Sequence, residues 1–182
     1  MKKRSIFSTK TIVATGLGAA LFLVLFMYVK IPSPVPETNF QLAYGVSTFF
    51  GALFGPIAGA LIAFIGHALN DFLSYGSPWW SWVIASGVAG LFSGLAFFSF
   101  NLEEGDKPGV MFYVWNIVGH IVAWLVVAPL LDYVIYSEPL NLLAAQAGIA
   151  VVINTISSVV VGTLLCVAYA NTRAKKGSLD KE

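Results

Sequence analysis

The stretch from Gly55 to Trp82, GPIAGALIAFIGHALNDFLSYGSPWWSW, decides the fold. Its first part is apolar, with Gly55, Gly59 and Ala63 spaced four apart and so aligned along one helix face. Such a face lets helix backbones approach closely. Helices in lipid associate mainly through close contact, because burying more apolar surface gains little there. His67, Asn70 and Asp71 then fall at i, i+3 and i+4 on a common face. Polar groups at membrane depth require partners, a cavity or a ligand. Ser77-Pro78 turns the chain, and Trp79, Trp80 and Trp82 begin the next helix at the outer boundary. The amphipathic indole is favoured at that depth, and stacking on a flat ligand is the alternative role.

Working outward, the rest of the chain has the same character. Of 182 residues, 58% are hydrophobic and 10% charged, with mean hydropathy +0.81, whereas about a quarter of a soluble domain is charged. The expected fold class is therefore all-α, an integral membrane bundle of six transmembrane helices in a single membrane domain. Spans are predicted at about 11–31, 40–54, 56–75, 79–100, 110–136 and 140–170, most of them near the ~20 residues needed to cross. Little chain remains for a soluble catalytic lobe. Lys2, Lys3, Arg4, Lys10, Lys107, Arg173, Lys175, Lys176 and Lys181 fall on one side of this topology and Lys30 on the other. That bias places both termini in the cytoplasm. The acidic cluster Glu103, Glu104 and Asp106 carries little weight in the rule. The basic start and first apolar run lack a small-residue cleavage site, so they read as a retained helix. Cys166, the one cysteine, lies inside the last run and reads as an inert buried thiol. A net charge of +1 gives no reason to expect nucleic acid as a partner.

Two small pairs lie on the first helix, Ala14 with Gly18 and Gly16 with Ala20. They serve either to dock another membrane protein or to contact this chain's own helices. IPSPVPETNF, residues 31–40, holds three prolines and cannot remain helical. It reads as a stiff outer loop, either a plain connector or a lid from which Asn39 and Gln41 reach down. Asn116 and His120 share one face of the fifth span, which reaches Asp132 near its outer end, and the sixth carries Gln146 and, deeper, Asn154. Polar groups converging from three helices favour a cavity over isolated interhelical bonds.

There is no G-x-x-x-x-G-K-[ST] loop, so the chain itself binds no ATP in the usual phosphate cradle. Acidic and imidazole groups are not distributed along a transmembrane path, which argues against uphill transport by this polypeptide alone. His67, Asp71 and His120 are too scattered to make a metal signature, so no metal is expected. Ser81 and Ser86 lack a hydrolase motif. Amides, imidazoles and indoles suit instead a small, flat, neutral heterocycle. The predicted substrate-binding set is His67, Asn70, Asp71, Trp79, Trp80, His120, Gln146 and Asn154.

The chain resembles the substrate-binding S components of energy-coupling factor (ECF) transporters, the modular vitamin importers of bacteria. The resemblance rests on the basic N-terminus, the small-residue first helix, the proline-rich loop and Gly55–Trp82. That last segment is similar to the subgroup proposed to carry hydroxymethylpyrimidine, a thiamine precursor, or a related vitamin such as pyridoxine. The resemblance implies a non-enzymatic, multi-pass subunit of the bacterial cell membrane. It would capture substrate at the outer face, dock a transmembrane coupling (T) subunit and topple to release its cargo. Two cytoplasmic ATPases would hydrolyse the ATP, leaving no cofactor in this chain. The family's docking motif, two alanines four apart on the first helix, maps onto Ala14 with Gly18 or Gly16 with Ala20. A self-sufficient secondary transporter is the rival class, and an intramembrane metal carrier or enzyme the third.

Overall fold

The computed structural model describes residues 8–36 and 38–173. Lys2, Lys3, Arg4, Lys175, Lys176 and Lys181, on which much of the predicted sidedness leans, lie outside that range. Helix α1 (Thr9–Tyr28) starts two residues earlier than predicted because the Ser8 hydroxyl accepts the Thr11 amide at 3.1 Å and caps it. The proline-rich connection forms an antiparallel hairpin of β1 (Lys30–Pro32) and β2 (Asn39–Gln41), pairing Ile31 with Phe40. That pairing takes Phe40 out of the predicted second span. Helix α2 (Ala43–Phe54) is left with 12 residues, roughly 18 Å at 1.5 Å per residue and too short to cross a bilayer core.

Gly55 at φ 103° breaks the chain between α2 and α3 (Pro56–Tyr75), with Pro56 at the first helical turn where its missing amide costs nothing. Gly76 at φ 83° ends α3. Helix α4 (Trp80–Gly94) runs on as a 3-10 segment, Leu95–Phe98. Helix α5 covers Val110–Tyr136, with π-helical turns at Val122–Val127 and Asp132–Tyr136 on either side of Ala128–Leu131. Pro129 lies in that middle stretch and removes one donor from the ladder, which is re-registered around it. Helix α6 (Leu140–Asn171) completes the bundle. Among the described residues, five helices are long and apolar enough to cross a membrane, and α2 is the shorter sixth.

Lys10 pairs with Glu103 and lies over the Phe54 ring, so the start of α1, the end of α2 and the α4–α5 loop share one end of the bundle. The hairpin, the end of α3 and the tryptophans form the other end. Packing is tightest where α3 crosses α4: a Cβ on Gly59 would stand 2.4 Å from the Gly90 carbonyl oxygen. Beyond that crossing, Phe22, Phe26, Tyr44, Ile62 and Trp124 form the core. It seals the bundle below the hairpin end.

Candidate functional site

A cavity of about 410 Å³ opens among the hairpin, α3, α4, α5 and α6. That is within the range of small-molecule sites, roughly 300–1,000 Å³. Of the predicted residues, Asn39, Gln41, His67, Asn70, Asp71, Trp79, Gln146 and Asn154 border it. Gln146 Nε2 donates to the Pro36 carbonyl at 3.2 Å, tying the hairpin's loop to α6 across the cavity.

One wall is a chain of polar contacts. Asp71 Oδ1 lies 3.4 Å from His67 Nε2; His67 Nδ1 is 2.6 Å from Ser86 Oγ, which is 2.8 Å from the Tyr44 hydroxyl. Asp71 also accepts the Asn70 side-chain amide and the Trp79 backbone N–H, each at 3.0 Å. Although Asp71, His67 and Ser86 have the composition of a catalytic triad, Ser86 is fully buried and its hydroxyl is shared between His67 and Tyr44. The array therefore holds helices α2, α3 and α4 together and presents no exposed nucleophile.

A second part of the wall, joined to the first through Trp79, is organised by Asp132. Its carboxylate accepts Trp79 Nε1 at 2.7 Å, Trp82 Nε1 at 2.6 Å and the Ser81 hydroxyl. Tyr136, one wide π turn later, packs its ring on Trp79 with centroids 4.4 Å apart and accepts the Trp80 amide at 3.2 Å. The π turn thus directs both residues onto the start of α4. The result is an aromatic face with its N–H groups already bonded.

Two predicted wall residues are elsewhere. His120 is fully buried, its Nε2 2.5 Å from Ser158 Oγ and its Nδ1 accepting Trp124 Nε1 at 2.8 Å, so both ring nitrogens are used inside the protein. Trp80 is 46% exposed and stacks on Phe64, which is a boundary position outside the cavity. The two small pairs of α1 also separate. Ala14 and Gly18 face inward, a Cβ on Gly18 standing 2.6 Å from Ile62, whereas one on Gly16 would meet nothing within 4 Å and Ala20 is exposed. Lys30, Tyr44, Trp82, Asp132 and Glu138 also border the cavity, although the predicted binding set left them out. A lone acid within an apolar run was the available signal for Asp132.

A family model described as "ECF-type riboflavin transporter, S component" matches residues 6–171. The chain belongs to that family. This S component is 49% identical over 179 residues to a UPF0397 protein of Streptococcus gordonii, covering 97% of this chain and 96% of the relative. It is 46% identical over 178 residues to one of Lactococcus lactis subsp. cremoris strain NZ9000, covering 96% and 98%. Its fold is similar to the crystal structure of FolT bound with folic acid. The TM-score is 0.59 at 14% identity, covering 87% of this S component and 98% of FolT. It is therefore the substrate-binding subunit of an ECF vitamin transporter, a multi-pass protein of the bacterial cell membrane in a transporter family, not an enzyme family.

Proposed function

We propose that this S component captures a small, flat nitrogen heterocycle in the hairpin-end cavity, from the outer side of the membrane. The leading candidates are hydroxymethylpyrimidine and related vitamins such as pyridoxine. The observation that carries this reading is the convergence of Asn39, Gln41, His67, Asn70, Asp71, Gln146 and Asn154 on one cavity beside the Trp79–Tyr136 face. Amide edges match ring substituents, and the aromatic face suits stacking. The names of its family and its structural neighbour add riboflavin and folate to the panel. Calorimetric titration of the purified protein with these four compounds tests the proposal: tight binding of a pyrimidine or pyridine is expected, and no heat from any of them removes it.

Release into the cytoplasm is assigned to a T subunit and two ATPases, with both termini of this chain cytoplasmic. The outward face of α1 is the proposed docking surface. Gly16 and Ala20 lie flat among Ile12 and Leu17, which are 72% and 61% exposed, and small residues allow a partner helix to come close. Gly16→Leu is expected to reduce uptake in cells by roughly tenfold or more, since about 1.4 kcal/mol of lost contact corresponds to a factor of ten. Unchanged uptake moves the docking surface elsewhere.

A further inference from the structure

A second cavity, a groove of about 520 Å³, lies between the end of α1, the hairpin and the middle of α6. Val29, Ile31 and Phe40 line it from the hairpin side, and Val152, Ile153 and Ile156 from α6. Among the described residues, Lys30 is the one charged side chain on it. Ile31 and Phe40 are cross-strand partners and so share a face of the hairpin, where they are 69% and 43% exposed. Asn39 borders the first cavity instead, and the paired Lys30 and Gln41 border both. The hairpin is thus two-sided, and its base is the partition between a polar space and an apolar one.

Depth sets what can fill the groove. Residues 152–157 lie roughly 21–28 Å along α6 from Asn171, at 1.5 Å per residue, and so in the hairpin-end leaflet of a ~30 Å hydrocarbon core. Tyr28 ends α1 on the groove, as suits an aromatic residue at the membrane boundary. Lys30, two residues on, falls at headgroup level, where a lysine rests its stem on apolar surface and keeps its ammonium in the polar layer. It forms no ion pair among the described residues. A partner helix packs closely where small residues line the contact. The groove has neither glycine nor alanine in its lining, which favours a flexible chain.

We propose that the groove is a lipid site. It takes one acyl chain of an anionic phospholipid from the leaflet at the hairpin end, with the lipid's phosphate on the Lys30 ammonium. The hydrocarbon covers Ile31 and Phe40, and the cation favours a net negative headgroup over a zwitterionic one. The bound lipid backs the apolar face of the hairpin whose other face borders the first cavity.

Native mass spectrometry of the full-length protein in mild detergent tests the site, with phosphatidylglycerol and phosphatidylcholine of identical chains as probes. One phosphatidylglycerol per protein is expected to bind about fivefold more tightly than phosphatidylcholine, the scale of one lysine near an anionic headgroup. Lys30→Gln should bring the two within about twofold. Ile153→Trp, which fills the groove, should weaken both by roughly tenfold, whereas Leu164→Trp, at an exposed α6 position outside the groove, should change neither. Equal affinity for the two lipids in the wild type, or a preference that survives Lys30→Gln, overturns the proposal. So does an equal loss in Ile153→Trp and Leu164→Trp, which means a general lipid shell, and so does unchanged binding in a folded Ile153→Trp. A photoreactive side chain at Ile156 that captures a transporter subunit in place of phospholipid also overturns it, by giving the groove to a protein.

Discussion

Helices α3 and α5 each carry a histidine and an asparagine about one turn apart, His67 with Asn70 and Asn116 with His120, yet the two pairs do different work. Asn116 is fully buried. Its Oδ1 accepts the Thr48 and Ser93 hydroxyls at 3.0 and 2.8 Å, and its Nδ2 donates to the Phe112 carbonyl at 2.8 Å. His120 is likewise complete between Ser158 and Trp124. On α3, Asn70 keeps an unpartnered oxygen, and its neighbours border a cavity. Asn116 and His120 are thus polar residues whose bonds are completed inside the bundle, whereas Asn70 sits at the cavity with part of its bonding capacity unused.

Three substitutions bear on that contrast. Asn116→Leu should have the largest effect, lowering the unfolding free energy by about 3 kcal/mol because two buried hydroxyls lose their acceptor. Denaturant unfolding in detergent measures it, and a loss below about 1 kcal/mol would break the comparison. Next, Asn70→Leu should weaken binding of whichever ring the wild type holds by roughly tenfold, about 1.4 kcal/mol. Ligand-free stability should move by only about 0.5 kcal/mol, since an unmet acceptor is removed along with the bond to Asp71. Calorimetry paired with thermal unfolding separates the two quantities. The smallest change is expected for His120→Phe: about 1 kcal/mol of stability from one interhelical bond to Ser158 and one within α5 to Trp124, with ligand affinity held within about twofold. A large affinity loss in that variant would return His120 to the site.

Much of the helical architecture is legible in the chain. α3 runs from Pro56 to Tyr75 and α5 from Val110 to Tyr136, as their apolar runs and flanking breakers predict. The three prolines of residues 31–40 announce non-helical backbone, but the pairing of Ile31 with Phe40 is a relation between two segments that neither encodes alone. The same limit applies to α1. Four-residue spacing marks both Ala14/Gly18 and Gly16/Ala20, and only the position of Ile62 on α3 shows which pair faces inward. His120 and Asn116 do share a face, as their spacing requires, but that face is turned toward hydroxyls on α2, α4 and α6.

From sequence alone, the apolar composition determined residence in the membrane, breakers and run lengths determined most of the helices, and i, i+3, i+4 spacing determined that His67, Asn70 and Asp71 share one face of α3. Only the tertiary structure decided which polar groups satisfy one another and which remain open. The physical reason is that a hydrogen bond requires contact, and contacts such as that between Trp79 and Asp132 join residues 53 positions apart. Helical periodicity orients a side chain on its own helix, while packing alone determines what it meets.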